Sequence, residues 1–151
     1  MHYDHITFHT EENYPSDLPK ENAANHMGYY YKWAVSQDLH SPEAEALPQF
    51  AELQNGTLSG AEFILNQLGG GIDTTCFNDL GNRFTQYYYQ DEDEGYGNFI
   101  TDYFLALGLE KQEDFYRTED TRENQQILNQ VFQTAFDTWQ QSISFNFNQN
   151  T

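Results

Sequence analysis

Cysteine and basic residues are both scarce in this chain. Its 151 residues include a single cysteine, Cys76, which excludes an intramolecular disulfide and a zinc site built from several cysteines. Only 6 Lys and Arg stand against 24 Asp and Glu, so the formal net charge is −18. Nucleic-acid phosphates and anionic lipid headgroups repel such a chain, and we expect no direct binding to either.

Long apolar runs are also absent from the sequence. No stretch approaches the roughly 18 residues that a membrane-spanning helix needs, and the opening residues lack the basic and apolar regions of a secretory signal. We therefore expect a cytoplasmic protein. Hydrophobic residues make up 38% of the chain, which is low, but 17% are aromatic, and disordered acidic chains are usually poor in aromatics. The composition predicts one folded domain, residues 1–151, with a core built largely from rings.

Apolar residues recur at helical spacing in several segments. The predicted helices cover 21–39, 43–54 (broken at Pro48), 59–68, 73–89, 98–107 and 121–141. Ser59 followed by Glu62 is a capping-box signature, in which each side chain satisfies a free backbone N–H at the start of a helix. Gly28 lies inside the first predicted helix, where it costs up to about 1 kcal/mol relative to alanine. A close approach to a second helix would explain that glycine.

Polar and apolar residues alternate at the two ends of the sequence. The opening segment places Ile6 and Phe8 opposite a series of polar or amphipathic residues, which favours a short, half-buried strand over 3–9. The tail, 142–151, alternates in the same way and is predicted either to pair with that strand or to fray from residue 144 onward. The predicted fold is mainly α: a compact multi-helix domain with at most a small two-stranded β element from the N-terminal segment and the C-terminal tail.

The histidines and the cysteine are the candidate metal-binding and nucleophilic side chains of this sequence. His5 and His9 lie in the predicted strand, with His2 just before it, and four residues of a strand span roughly 13 Å. That is too far for two ligands of one Zn²⁺ ion with bonds of about 2 Å, so we expect no metal site. His26 lies beside the apolar face of the first helix and is expected to be structural. The neighbours of Cys76 match no cysteine-protease signature, which favours a small buried side chain. We expect no catalytic residue and no cofactor.

Acidic residues concentrate in two segments, 91–94 and 110–120. The first resembles the start of a calcium loop, but an EF-hand counted from Asp91 would place Gly95 at a ligand position and Asp102 where a glutamate is required. The pattern therefore indicates a solvated acidic loop, a docking surface for a basic partner or a weak cation site. The predicted partner-binding residues are Asp91, Glu92, Asp93, Glu94, Tyr96, Glu113, Asp114, Glu119 and Asp120.

Several blocks of sequence resemble an uncharacterised bacterial family of small acidic proteins. Family members have a Tyr-Asp start, matched by Tyr3-Asp4, and a Thr-His-Ile-Gly-Met-Tyr/Phe-x-x-Trp-Ala helix, matched by residues 25–34 with Asn25 in place of the threonine. Residues 79–88 are similar to a Gly-Asn-x-Phe-x-x-x-Tyr-Tyr block. Residues 115–121 are similar to a Leu-Tyr-x-Val-x-Asp-Thr-Trp block, with Arg122 in place of the tryptophan. The resemblance implies a companion of bacterial toxin systems, such as those of type VI secretion, and carries over no catalytic residue.

The sequence thus predicts an immunity protein that binds and blocks a cognate toxin. A toxin with a basic cleft, such as a nuclease, needs positive surfaces to hold phosphates, and an inhibitor can present carboxylates in their place. Two alternatives remain open. One is an enzyme of unrecognised type, which would require a concave pocket holding carboxylates with displaced pKa values. The other is an acidic nucleic-acid mimic that acts as a regulatory binding module.

Overall fold

Helices dominate the described part of the chain. The computed structural model describes residues 2–11, 14–90 and 98–149, with side chains through residue 144. The α-helices are α1 (Ile6–Thr10), α2 (Asn25–Ser36), α3 (Pro42–Glu45), α4 (Phe50–Asn55), α5 (Gly60–Gln67), α6 (Asp79–Thr85), α7 (Phe99–Leu107) and α8 (Arg122–Gln149). Short 3-10 helices cover Lys20–Ala24, Thr74–Cys76 and Gln112–Tyr116, and a π-helical turn covers Gln86–Gln90.

The sheet has two antiparallel strands, β1 (His2–His5) and β2 (Gly71–Asp73). His2 pairs with Asp73 and Asp4 with Ile72, so β1 contains an extra residue between these two pairs. Such a bulge breaks the strict alternation of side chains between the two faces of a strand. As a result, the consecutive residues Tyr3 and Asp4 are both buried.

The predicted fold class, mainly α with a small two-stranded element, is confirmed, but two of its details are wrong. The N-terminal strand ends at His5, and residues 6–10 form α1, because the side chain of His5 caps the amide of Thr7 and starts a helix there. The partner of β1 is β2 and not the C-terminal tail. The tail continues α8 to Gln149.

The predicted approach of a second helix to Gly28 is confirmed. A Cβ on Gly28 would lie 2.2 Å from the backbone N of Ala61, and a Cβ on Gly60 would lie 1.9 Å from the carbonyl O of Gly28. Only glycine at both positions therefore allows α2 and α5 to touch through their backbones. The capping box of Ser59 and Glu62, predicted from the sequence, starts α5 at this contact.

Aromatic rings fill the core, as the composition predicted. Tyr30 on α2 is fully buried, and its hydroxyl is hydrogen-bonded to the hydroxyl of Thr85 at 2.9 Å. Six aromatic rings surround it: Trp33, Phe77, Tyr88, Tyr89, Phe99 and Phe132. The helix α8 covers this cluster with Leu128, Phe132 and Phe136. Among the described helices, α8 included, none is both long and apolar enough to cross a membrane.

Candidate functional site

A buried carboxylate, Asp4, organises the N-terminal end of the molecule. Its Oδ1 lies 2.7 Å from Nε2 of His9 and accepts the backbone N–H of His5 at 2.8 Å. Its Oδ2 lies 2.7 Å from Nε2 of His26 and accepts a hydrogen bond from the hydroxyl of Tyr89. Four donors from β1, α1, α2 and the π-helical turn therefore converge on one side chain.

The surroundings of Asp4 favour its ionised form. Burial by itself would raise the pKa of Asp4, but the electrostatic interaction with His26 and the hydrogen bonds from His26 and His9 hold that pKa well below its usual range. A carboxylate only accepts hydrogen bonds, so both imidazoles present Nε2–H to it. Asp4 is thus a buried anion held by four hydrogen-bond donors.

Burial and the Asp4 carboxylate act on the pKa of His26 in opposite directions. Burial lowers the pKa of His26, and the nearby Asp4 carboxylate opposes this effect without overcoming it. The buried Nδ1 of His26 has no hydrogen-bond partner among the described residues. An imidazolium would leave an N–H unpaired at that atom, so the geometry agrees with a neutral ring protonated on Nε2. The sequence predicts a structural role for His26, and in the structure its Nε2 is hydrogen-bonded to the Asp4 carboxylate.

His9 links Asp4 to the surface of the protein. While Nε2 of His9 faces Asp4, its Nδ1 lies 2.6 Å from the hydroxyl of Tyr116. Burial raises the pKa of Tyr116 to about 12, with Asp4 and Tyr14 contributing in the same direction, so this hydroxyl stays protonated at neutral pH. Asp4, His9 and Tyr116 form a continuous chain of hydrogen bonds from the interior to the protein surface.

That chain ends at an open cavity of about 720 Å³. Asp4, His9, Tyr89 and Tyr116 supply polar groups to its lining. Its apolar walls come from Phe8, Ile100, Phe104, Leu105 and Phe115. Phe8 and Leu105 are 61% and 77% exposed, so both present apolar surface at this cavity. A largely apolar cavity with a few convergent polar groups is the usual form of a binding site.

The acidic segment 110–120 contains the 3-10 helix Gln112–Tyr116 and is attached to α2 and the residues just before it by hydrogen bonds. Amide groups of Asn22, just before α2, and Asn25 donate to the carbonyls of Tyr116 and Thr118. The hydroxyl of Tyr29 donates to the carbonyl of Glu119 and accepts the N–H of Thr121. The buried ring of Phe115 anchors the same segment to the core. Its acidic side chains are therefore presented from a fixed backbone.

Part of this segment borders a smaller groove of about 370 Å³. Glu119 and Asp120 line it together with Glu21 and Glu62, so carboxylates from three parts of the chain meet there; we call these four residues the acidic groove. Arg117 also lines it, but its guanidinium makes a bidentate salt bridge with Asp17, at 2.8 and 3.0 Å.

The predicted partner-binding residues fall into three groups. Glu119 and Asp120 lie together in the acidic groove, and both are exposed. Glu113 and Asp114 lie apart from it, on the 3-10 helix Gln112–Tyr116, where Asp114 caps the N–H of Lys111. Asp91, Glu92, Asp93, Glu94 and Tyr96 lie outside the described residues.

Sequence reasoning missed Asp4, His9 and His26 as a group. A strand through residue 9 is predicted to keep His9 away from the other histidines, whereas in the structure α1 turns His9 back toward Asp4. One signal was available: Asp4 and His26 belong to two different blocks of the family resemblance, Tyr3-Asp4 and 25–34.

A known protein family matches most of the chain. Residues 2–118 match the family model described as a domain of unknown function, DUF7832. The chain belongs to this family. The matched region contains Asp4, His9, His26, Tyr89 and Tyr116, and it ends just before the two predicted contact residues of the acidic groove. Searches of curated proteins and of solved structures gave no match.

Proposed function

We propose that this DUF7832 protein is a bacterial immunity protein that binds a basic toxin in the cytoplasm and blocks it. The acidic groove is the observation that carries this proposal. It brings together four carboxylates, while the one basic residue among its lining residues is engaged by Asp17. Lys32 is close enough to interact electrostatically with Asp120. A lysine or arginine of a partner would find the other three carboxylates, those of Glu21, Glu62 and Glu119, beside it in the same groove.

The fixed backbone of the segment 110–120 supports the same function. A loop that is already ordered loses little conformational entropy when it binds, so more of the interaction energy appears as affinity. The hydrogen bonds from Asn22, Asn25 and Tyr29 supply this order in the free protein. The net charge of −18 adds long-range attraction, which raises the association rate with a basic partner.

Apolar anchors lie beside these acids. The 3-10 helix of the segment contributes Phe115 and Tyr116 to the large cavity, whose rim carries the exposed Phe8 and Leu105. Binding energy in protein interfaces concentrates in a few large apolar or aromatic contacts surrounded by polar residues. We therefore expect the acidic groove to set the association rate and the cavity rim to contribute much of the affinity.

The test begins with the native partner. The tagged full-length protein is used to capture proteins from its own organism at low ionic strength, and bound proteins are eluted with rising salt and identified by mass spectrometry. The proposal expects a stoichiometric basic protein that inhibits growth when expressed alone and is harmless when co-expressed. A captured protein without such toxicity, such as a nucleic-acid-binding regulator, would instead favour the nucleic-acid mimic.

A matched pair of variants then tests the surface. Glu21→Gln with Glu119→Gln removes two charges from the acidic groove, and Glu43→Gln with Glu52→Gln removes two exposed charges elsewhere. Only the first pair should slow association with the toxin and flatten its dependence on salt. Equal association rates for the two variants would place the toxin on another surface.

A second candidate function, an enzyme, is favoured by the cavity above Asp4. The cavity holds a carboxylate of lowered pKa beside His9, the arrangement that the enzyme hypothesis requires. Its weakness is the raised pKa of Tyr116, which makes that hydroxyl a poor nucleophile. His9 would then act as a general base on a bound substrate. If His9→Gln leaves toxin neutralisation intact, the immunity function does not use this chemistry; if no toxin exists, substrate screening directed at the cavity follows.

A further inference from the structure

We infer that Asp4, His9 and His26 form a binding site for a divalent transition-metal ion, and that Zn²⁺ is the ion it fits best. One ligand atom from each of the three residues lies within 4.8 Å of the other two. Two imidazoles and one carboxylate are a ligand set that Zn²⁺ uses in proteins. This site is independent of the acidic groove.

The geometry requires only a modest adjustment to hold the ion. Zn²⁺ bonds of about 2.0–2.1 Å in a tetrahedron place neighbouring ligand atoms about 3.3 Å apart. The Nε2 atoms of His9 and His26 now lie 2.7 Å from the oxygens of Asp4, and the two imidazole rings are 4.6 Å apart between centroids. His9 lies on α1, a helix of five residues, and is only partly buried. It is the ligand best able to move.

Hydrogen bonds around the ligands suit a metal site. Metal-binding histidines usually hydrogen-bond through their second nitrogen, which fixes the ring. In His9 that nitrogen, Nδ1, already faces the hydroxyl of Tyr116 at 2.6 Å. The oxygens of Asp4 are held by the His5 amide and by Tyr89. When the ion binds, the proton of each imidazole moves from Nε2 to Nδ1, where His9 donates it to Tyr116.

His26 limits the affinity. Its Nδ1 has no acceptor among the described residues, so the relocated proton would stay unpaired in a buried place. We therefore expect weaker binding than at a structural zinc site with fully hydrogen-bonded ligands.

Access and charge both favour a cation here. Asp4 and His9 line the cavity of about 720 Å³, which gives an ion a route from solvent and leaves room for a water molecule or a small ligand beside it. The cluster contains an ionised carboxylate and no lysine or arginine, and the whole chain is strongly acidic. A catalytic type of zinc site, with three protein ligands and one open position, has this form.

The experiment titrates the purified full-length protein, stripped of metal with a chelator and then dialysed. Co²⁺ reports its own coordination through visible absorption bands, and Zn²⁺ is measured by competition with Co²⁺. We expect one equivalent of each ion to bind. His9→Gln should lower the affinity at least about tenfold, since even the loss of an outer-shell partner costs about 10–100-fold. Zn²⁺ at the same concentration should raise the melting temperature of the wild type more than that of this variant.

His2→Gln is the matched control, because His2 is an exposed histidine of the same N-terminal segment. It should bind Co²⁺ as the wild type does, and Tyr116→Phe should bind more weakly. The circular dichroism spectrum of His9→Gln establishes that it is folded; should it unfold, Tyr116→Phe carries the test. Absence of binding to the wild type would overturn the inference, as would equal binding by His9→Gln or a loss of binding in His2→Gln.

Discussion

Gly28 and Gly60 hold α2 and α5 in backbone contact, with the carbonyl O of Gly28 only 1.9 Å from where a Cβ of residue 60 would lie. Because backbone atoms cannot swing away as a side-chain tip can, Gly28→Ala must push the two helices apart. We expect the free energy of unfolding to fall by about 3 kcal/mol, at the upper end of the range for overpacked cores. Urea denaturation followed by circular dichroism measures the loss.

Gly56→Ala is the comparison for this prediction. Gly56 has a positive φ of 84°, but nothing lies within 4 Å of a Cβ built there. That substitution therefore adds backbone strain of about 1–2 kcal/mol without a clash. Equal losses for the two variants would mean that α2 and α5 separate easily, and that the contact at Gly28 is not what fixes their packing.

Tyr29 connects the core to the acidic segment through its hydroxyl, which contacts both the Glu119 carbonyl and the Thr121 amide. Tyr29→Phe removes both hydrogen bonds, so we expect a loss of about 1–3 kcal/mol of stability. We also expect faster hydrogen exchange at the Thr121 amide and slower association with the toxin. Tyr31→Phe is the matched control, since the Tyr31 hydroxyl donates to the Cys76 carbonyl, away from the segment. It should lose stability while leaving Thr121 protected.

The buried tyrosines make stability fall at alkaline pH. Burial raises the pKa of Tyr30, Tyr31, Tyr88 and Tyr103 above the ordinary value of 10.0. Below pH 10 these hydroxyls are protonated in both the folded and the unfolded chain. Above it the unfolded chain releases protons that the folded protein retains, so the stability these groups confer is lost as pH rises.

The measurement for this prediction is urea denaturation from pH 8 to pH 11. Each buried tyrosine should contribute up to about 1.4 kcal/mol per pH unit above its unfolded pKa. The free energy of unfolding of Tyr31→Phe should fall less steeply with pH than that of the wild type. The difference in slope should correspond to one proton, because one ionising group has been removed. Tyrosinate absorbance that develops while the circular dichroism stays native would contradict the prediction, since it would show that the buried hydroxyls ionise without unfolding.

Local features of this fold could be predicted from sequence, and non-local ones could not. The apolar spacing of α2, the capping box at Ser59 and the close contact at Gly28 each depend on residues within a few positions, or on the absence of one side chain. The pairing of β1 with β2 joins residues about seventy positions apart, and no periodic pattern in the sequence indicates it. The segment 122–149 shows that a local pattern can predict the wrong secondary structure. Polar and apolar residues alternate in its tail as in a strand, but the tail continues the long helix α8.

The candidate site could not be predicted because it also depends on residues that are distant in the sequence. Asp4 meets His26 only because a bulge in β1 turns two consecutive side chains inward, and an extra residue in a strand is not visible in a polar–apolar pattern. The acidic groove is likewise assembled from separate elements, with Glu21 and Glu62 joining Glu119 and Asp120. Glu119 and Asp120 are neighbours in an acidic segment of the sequence and were therefore predicted. Glu21 and Glu62 stand apart from that segment and were not.

Cys76 should be chemically inert in the folded protein. It is 5% exposed, and burial raises the pKa of its thiol to about 12. The nearby Asp73 carboxylate acts in the same direction, while hydrogen bonds with the Asp73 backbone and with Thr75 act in the opposite one. Since the thiolate is the reactive form, a disulfide reagent such as 5,5′-dithiobis(2-nitrobenzoate) should modify the native protein far more slowly than the urea-unfolded chain at the same pH. Gly28→Ala should speed the reaction only as far as it increases the unfolded population. Rapid modification of the native wild type would mean that Cys76 is reached by solvent through local opening, which would reopen the question of its role.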